Sequence, residues 1–248
     1  METSRSVLDR AFSILDVCAQ AEDGLTLTKI ASACGLPKSS THRIVGQLLA
    51  WGGLERRGDA LRLGGHMFVL GSCAPHARRL RETVLPFLQE LCDQTRETVH
   101  LGVLDGHDVL YVDKLLGRRH RPLEIPTRVG SRTPLVRTGL GKAILATGPD
   151  GLLDEVLATG WGPVAPSTTG NVEDLRLEMA RIRSVGVAFD HGGSYPGVSC
   201  VASPLHGPAH SPPAAISVTA PTERFQADAF ARITMLCARG ASRALRRG

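Results

Sequence analysis

The sequence lacks paired cysteines. Its six cysteines are widely scattered, and none belongs to a C-x-x-C pair. Disulfide frameworks and zinc ribbons both require cysteines at close, regular spacing. The pattern therefore argues against both classes of protein, and it fits a chain from a reducing compartment.

The sequence also lacks long apolar runs. The N-terminal stretch has no apolar core of the kind that signal peptides carry. No uninterrupted apolar run reaches about 18 residues, the length that a membrane-spanning helix needs. We expect a soluble, cytoplasmic protein without a membrane partner.

The overall composition is that of a globular protein. The chain has 248 residues, of which 42% are hydrophobic and 21% charged, so it has room for one large domain or two ordinary ones. The net charge of +5 allows an anionic partner without identifying one. Between residues 37 and 63, five basic side chains outnumber two acidic ones. This local excess of positive charge is more informative than the net charge of the whole chain.

A helix-turn-helix pattern occupies residues 25–51. Ile30, Ala31 and Cys34 have helical spacing, and Gly35 suits the positive φ that ends a helix tightly. Pro37 suits the first position of a new helix, which we predict from Pro37 to Trp51. The apolar stripe of this second helix consists of Ile44, Val45, Leu48 and Leu49.

The other face of the second helix is polar and free of acidic residues, and a basic hairpin follows it. Residues 54–57 and 60–63 flank a Gly-Asp turn, as expected for two short strands. Such a winged helix-turn-helix places its second helix in the major groove of DNA and its hairpin on the backbone. The expected DNA contacts are Lys38, Ser39, Ser40, Thr41, His42, Arg43, Gln47, Arg56, Arg57 and Arg62. A merely solvated helix face would not explain the turn glycine, the proline and the arginine-bearing hairpin together.

Other helices are predicted on both sides of this unit. Residues 5–20 carry Leu8, Ala11, Phe12, Leu15 and Cys18 at helical spacing, which predicts a helix packing under the other two. Residues 66–71 are apolar nearly all round, which indicates either a linker helix packed on another chain or a helix buried in its own domain. A helix from about Leu80 to Gln94 follows. We predict a DNA-binding domain at 1–65, a linker helix at 66–79 and a second domain at 80–248.

The second domain is predicted to be α+β with an antiparallel sheet. A β-hairpin with an Asp-Gly turn spans residues 98–113, and a third strand is expected at 123–125. Helices at 139–146, 151–158 and 172–184 precede strands at 200–203 and 214–219, and a last helix runs from 222 to about 245. Strands in runs that are separated by blocks of helix favour this fold class.

Several fragments along the chain together resemble the IclR family of bacterial transcriptional regulators. They are residues 35–43 (GLPKSSTHR), 97–101 (ETVHL), 103–106 (VLDG), 111–114 (YVDK), 141–143 (GKA), 197–202 (GVSCVA) and 214–218 (AAISV). The resemblance implies an N-terminal winged helix-turn-helix and a GAF-like C-terminal domain that binds an effector. It also implies operator DNA as a partner, a homodimer or a dimer of dimers, and no cofactor.

The resemblance further implies a small-molecule pocket on the concave side of the sheet, formed by Leu123, Ile125, Gly139, Leu140, Asp190, Cys200, Ser217 and Thr219. Ser217 and Thr219 alternate along one strand and so share a face, and Gly139 begins a helix whose free N–H groups suit an anion. These features favour a small organic acid. Arg137 would strengthen the preference for a carboxylate or phosphate if it faced the pocket.

Enzyme motifs are absent or incomplete. Residues 141–143 resemble a P-loop, but Ala143 stands where Ser or Thr would bind Mg²⁺. Val201 takes the place of the second glycine of a nucleophile elbow. Cys200 could still form a thiol–imidazole pair or part of a metal site with His100 or His191. We expect a regulator instead of an enzyme, with a repressor favoured by the resemblance. The alternatives are an activator, and a metabolite-binding module whose winged helix contacts protein.

Overall fold

The structure is a computed structural model that describes residues 6–21, 23–118, 125–159 and 171–247. The chain separates into two compact units, Met1–Arg78 and Arg79–Gly248. No helix among the described residues combines the length and the apolar character needed to cross a membrane.

The first unit is a three-helix core with a hairpin. Its elements are α1 (Val7–Ala19), α2 (Leu27–Cys34), α3 (Lys38–Trp51), β1 (Leu54–Arg57), β2 (Ala60–Leu63) and α4 (Gly65–Ser72). Buried apolar side chains from α1 to α3 and from both strands form one core. The winged helix-turn-helix predicted from the sequence is therefore confirmed.

Local sequence signals set the helix ends of this unit. Ser6 and Asp9 form a capping box at the start of α1, and the Thr26 hydroxyl accepts from Lys29 N at the start of α2. Gly35 ends α2 with φ +63°, as the sequence predicts. Pro37 precedes the first helical residue of α3, Lys38, so our assignment of Pro37 to the helix itself was wrong by one position.

Two details of the first unit differ from the predictions. Leu8 and Phe12 are exposed, because the core covers only the second half of α1, where Ile14, Leu15 and Cys18 are buried. Leu25 also pairs with Leu61 as an isolated antiparallel bridge, which adds a short third chain segment to the hairpin.

The second unit contains a six-stranded antiparallel sheet. Its elements are α5 (Pro75–Thr95), β3 (Thr98–Asp105), β4 (Asp108–Leu115), β5 (Arg132–Pro134), α6 (Gly139–Thr147), α7 (Leu152–Ala158), α8 (Val172–Val185), β6 (Ala188–His191), β7 (Val198–Leu205), β8 (Ala214–Pro221) and α9 (Ala227–Arg247). The strand order is β5-β4-β3-β8-β7-β6, so β3 and β8 lie at the centre. The predicted α+β class is confirmed, as is the hairpin of β3 and β4.

Helices cover both faces of this sheet. On one face, α5 and α9 pack on side chains such as Val99, Ile216 and Val218. On the other face, α6, α7 and α8 pack on Tyr111, Ala202 and Ala215. Side chains at alternate positions of β8 point to opposite faces, so Ser217 and Thr219 face the α6 side.

The helix expected from about Leu80 begins at Pro75. Two further predictions were wrong or lie outside the described residues, and the strands β5 and β6 were not predicted. Of the strand expected at 123–125, the first two residues are outside the described residues, and Ile125 lies in a loop before Pro126, which has no N–H to give to a sheet. The last helix begins at Ala227, because Thr222–Arg224 form a separate 3-10 turn. The sequence analysis did not predict β6, whose four residues are too short for a periodic pattern.

Candidate functional site

Helix α3 presents the polar face that the sequence predicts. Lys38, Ser39, His42, Arg43 and Gln47 are exposed, and Ser40 is half-buried. The first turn of α3 has no acidic residue and no side-chain cap, so its N–H groups can receive a phosphate.

Thr41 is the exception on this helix. Its side chain is 0% exposed, and its hydroxyl donates to Pro37 O at 3.0 Å. It stands at i, i+3, i+4 and i+7 with Ile44, Val45 and Leu48, and so belongs to the buried stripe. The expectation that Thr41 contacts DNA is therefore wrong.

Of the three predicted arginines of the wing, two are exposed and one is paired with a glutamate. Arg56 and Arg57 are exposed, whereas Arg62 Nε donates to Glu55 Oε1 across the hairpin, where the two residues are register partners. Part of the positive charge of Arg62 is thus compensated within the wing. Arg56 and Arg57 are the stronger candidates for phosphate contacts.

A cavity lies in the second unit between the sheet and the start of α6. Its volume is about 340 Å³ including its mouth. Six of the predicted effector residues line it: Ile125, Leu140, Asp190, Cys200, Ser217 and Thr219. Gly139 lies beside it, since a Cβ added there would be 3.4 Å from Cys200 Sγ. Leu123 lies outside the described residues.

Strand register brings these side chains together. Asp190 pairs with Cys200, and Cys200 pairs with Thr219, so the three form one row across β6, β7 and β8. Ser217 pairs with His100 on β3 and lies one row further along. The floor of the cavity therefore has two polar rows, which lie about 7 Å apart because they are two residues apart along the strand.

Asp190 fixes the loop that closes one side of the cavity. Its carboxylate accepts from Gly193 N at 3.0 Å, Ser194 N at 3.1 Å and Ser194 Oγ at 2.8 Å. Ser194 Oγ also contacts Arg137 O, just before α6. These bonds hold Ser194 and Tyr195 in the lining, so Asp190 has a positioning role besides lining the wall.

The loop on the opposite side is held by a lysine. Lys114 Nζ donates to Thr127 O at 2.6 Å and to Ile125 O at 3.4 Å. Burial lowers the pKa of Lys114. The side chains of Ile125 and Thr127 line the cavity, so this contact orients the apolar part of the wall.

The ionisable groups on the β3 and β7 side of the cavity are neutral near pH 7. Burial and nearby Lys114 lower the pKa of His100 to about 3, and its Nε2 is 3.0 Å from Thr127 Oγ1. Burial raises the pKa of the Cys200 thiol to about 12 and that of Tyr111 as well. A thiolate–imidazolium pair of Cys200 and His100 is therefore disfavoured.

The remaining alternatives for catalysis or metal binding find no support in this geometry. His191 follows Asp190 along β6 and so lies on the opposite face of the sheet from the cavity, where it stacks with Phe189. Within the described residues, no group of three or more His, Cys, Asp or Glu side chains could hold a metal ion. Arg137 is not among the cavity-lining residues.

Sequence reasoning did not identify seven lining residues: His100, Tyr111, Thr127, Thr138, Ser194, Tyr195 and Val198. Thr138 is the N-cap of α6, where its hydroxyl accepts from Gly141 N at 2.8 Å. An N-cap threonine before a glycine-rich helix start could have been recognised from the sequence. The positions on β3 and β4 depend on strand register, which no local pattern gives.

The buried His100 predicts a pH dependence of stability. Between about pH 3 and pH 6.5 the unfolded chain binds a proton at this residue and the folded chain does not, so stability falls as the pH falls. From pH 6.5 to pH 5, we expect the contribution of His100 to lower the free energy of unfolding by about 2 kcal/mol. Urea unfolding of the wild type and of His100→Gln at both pH values measures it. Equal losses in the two proteins would contradict the assignment.

A winged helix-turn-helix in one unit and a cavity with two rows of polar side chains in the other define a ligand-responsive DNA-binding protein. Comparison with known proteins gives the family. The family model described as IclR helix-turn-helix domain matches residues 7–58, and that described as Bacterial transcriptional regulator IclR C-terminal matches residues 74–245. The chain therefore belongs to the IclR family of bacterial transcriptional regulators.

Individual relatives agree with this family. The HTH-type transcriptional regulator BhcR of Paracoccus denitrificans is 33% identical over 220 residues, 88% of this chain and 78% of that protein. The transcriptional repressor IclR of Escherichia coli is 28% identical over 226 residues, 89% of this chain and 82% of that protein. A crystal structure of an IclR homolog from Microbacterium hydrocarbonoxydans, complexed with 4-hydroxybenzoate, has a TM-score of 0.87 and 27% identity, and the match covers 98% of this chain and 100% of that one.

Proposed function

We propose that this regulator is a repressor whose affinity for operator DNA is set by a small organic acid bound in the cavity behind α6. The observation that carries the proposal is the convergence of six predicted residues, from five separate parts of the chain, on one cavity. A small ligand can change DNA affinity only if it binds two arrangements of the protein unequally, typically by 1–3 kcal/mol.

An acid with a second polar group is proposed because the IclR homolog from Microbacterium hydrocarbonoxydans binds 4-hydroxybenzoate. Hydroxyl groups dominate the polar lining, and none of its described residues is a lysine or an arginine. Leu140 N–H contacts the Cys200 sulfur at the start of α6. A ligand carboxylate is best placed beside Ser217 and His100, one row away from the negative charge of Asp190. Asp190 Oδ1 accepts a bond from Gly193 N and has a second lone pair that can accept another, which suits a ligand hydroxyl. The 4-hydroxybenzoate of the relative has both groups.

We propose that the DNA contacts are those predicted on α3 and the wing, without Thr41. Arg43 and Gln47 are exposed one turn apart on α3, which suits contacts with neighbouring base pairs. Because operator DNA is the target, we place the protein in the cytoplasm.

We also propose that the regulator is a homodimer or a dimer of dimers. No residue of α4 is buried, and Phe68 on it is 79% exposed in the single chain, beside exposed Val69 and Leu70. Packing of α4 on a second copy would remove this apolar surface from water. Two winged helices would then read adjacent half-sites of a pseudopalindromic operator.

The test is a gel-shift titration with the DNA just upstream of the gene, at several salt concentrations. Arg43→Ala should weaken specific binding and, if Arg43 contacts a guanine, relax discrimination at one base pair by about 1–3 kcal/mol. Arg181→Ala, an exposed change on α8 with the same loss of charge, is the control. Unchanged affinity of Arg43→Ala at every salt concentration would contradict its place in the groove.

The same assay tests the effector class. Benzoate, 4-hydroxybenzoate and small aliphatic acids are added to the protein–DNA complex, and a response to one hydroxylated acid supports the proposed cavity. A specific shift that no acid changes would count against the effector class. No specific shift at any salt would favour the metabolite-binding module, since only the regulator predicts salt-dependent duplex binding.

A further inference from the structure

A second concave surface of the C-terminal unit lies at the end of β7. It is a groove of about 850 Å³ including its mouth, lined by the ends of α8, β7 and α9. It shares no lining residue with the effector cavity. Any ligand of this groove would therefore be distinct from the effector proposed above.

The groove forms where β7 extends beyond its neighbour. The pairing of β6 with β7 stops at Ala188 and Ala202, while β7 continues to Leu205. The Ser203 hydroxyl donates to Gly186 O at 2.8 Å, and His206 N donates to Ser242 Oγ at 2.9 Å. These bonds fix the end of α8 and the segment after β7 on the two sides of the groove.

The rim of the groove is strongly basic. Arg183, Arg239, Arg243 and Arg246 line it, and no acidic residue does. Arg183 Nε donates to Ala146 O and Arg246 to His206 O, both uncharged acceptors. Within the described part of the chain, none of the four forms an ion pair. Four uncompensated positive charges around one concavity favour an anionic ligand.

Two of these arginines are arranged for a shared ligand. Arg239 and Arg243 are exposed and one helical turn apart on α9, so their side chains leave the same side of the helix. Their planar guanidinium groups match the oxygens of a phosphate in a bidentate manner. A compact ligand with two or more phosphate groups could contact both.

The floor of the groove is apolar. Pro204 and Ala238 are buried there and Met235 is half-buried, so a planar or sugar-like group could lie on them while the phosphates contact the rim. The accessible volume of the groove, about 380 Å³, falls in the range of small-molecule sites, about 300–1,000 Å³. Proteins that read duplex DNA insert a protruding helix or strand pair into a groove of the DNA, and a concave surface does not suit that contact.

We propose that this groove binds a small organic polyphosphate of the nucleoside di- or triphosphate class, with its phosphates held by Arg239 and Arg243. The C-terminal unit then receives two chemical signals, one in the cavity behind α6 and one beside α9. The proposal does not depend on the identity of the effector.

Isothermal titration calorimetry of the full-length protein with ATP, without magnesium and at low salt, tests the proposal. The double variant R239Q/R243Q should bind at least about tenfold more weakly, the loss expected when two charge-assisted contacts are removed. The matched control is R181Q/R232Q, which removes the same charge from exposed positions of α8 and α9 outside the groove. It should bind ATP as the wild type does.

Inorganic pyrophosphate is the second probe. If pyrophosphate binds more weakly than ATP, the nucleoside contacts the apolar floor. If the two bind equally and both lose affinity in R239Q/R243Q, the groove recognises the phosphates alone. Absence of ATP and pyrophosphate binding by the wild type, or equal losses in the two double variants, would overturn the proposal. The proposal would also be overturned if R239Q/R243Q bound non-specific duplex DNA more weakly but bound ATP as the wild type does.

Discussion

Replacement of Ser217 by alanine together with Thr219 by valine is expected to abolish the effector response while operator binding persists. Both side chains line the cavity from β8, and both substitutions keep the side chain close to its original size. The ligand carboxylate would then lose the Ser217 hydroxyl, and the polar row of Asp190 would lose the Thr219 hydroxyl. A buried charge without its hydrogen-bond partners costs several kcal/mol. Gel shifts with and without the active acid measure the response.

A matched pair formed by a residue of β7 and one of the 3-10 turn after β8 separates this effect from general loss of stability. The Ser199 and Thr222 hydroxyls bond each other at 2.9 Å, and neither residue lines the cavity. Ser199→Ala with Thr222→Val removes the same atoms and should leave the effector response unchanged. A response that survives in the Ser217 and Thr219 variant would mean that the effector binds elsewhere.

Replacement of Gly141 by alanine is expected to destabilise the C-terminal unit by about 3 kcal/mol or more. A Cβ at this position would overlap the backbone carbonyl of Leu135, and that carbonyl belongs to a buried 3-10 turn that cannot move alone. The start of α6 would have to shift away from the turn, and the cavity would change shape with it. Hydrogen exchange of peptides from α6, together with the urea midpoint, measures the effect.

Gly139→Ala is the control for that prediction, because it places the same methyl group two residues earlier in the same helix. Its Cβ would contact Cys200 Sγ at 3.4 Å and Asp190 N at 3.5 Å, which are ordinary contacts. We expect the stability of Gly139→Ala to stay within about 1 kcal/mol of the wild type, with weaker effector binding. Equal destabilisation by the two substitutions would contradict the steric argument.

Elements that depend on neighbouring residues could be predicted from the sequence, and elements that depend on contacts between distant parts of the chain could not. Gly35, the Asp-Gly turn at Asp105 and the stripe of α3 are local signals, and each predicted its element correctly. The shared face of Ser217 and Thr219 also follows from strand periodicity alone. The bend between Thr222 and Ala227 could not be predicted, because Arg224 is drawn to the buried Glu97 carboxylate, 127 residues away in sequence.

The cavity was predictable only in part for the same reason. The resemblance to the family supplied Gly139, Leu140, Asp190 and Cys200, although only Cys200 lies within one of the matching fragments. His100 and Tyr111 enter the cavity through the pairing of β3 with β8 and β4, and the sequence does not distinguish them from ordinary strand residues. Thr41 was predicted to contact DNA, although its helical spacing with Ile44 and Leu48 places it on the buried stripe.

The loop held by Asp190 has a consequence for how such regulators diversify. Ser194 and Tyr195 enter the cavity from a loop that three hydrogen bonds to one carboxylate keep in place. Loops tolerate substitution better than a buried sheet does. With Asp190 retained, natural selection can exchange Tyr195 and so alter the chemical preference of the sensor, without repacking the strands on which its folding depends.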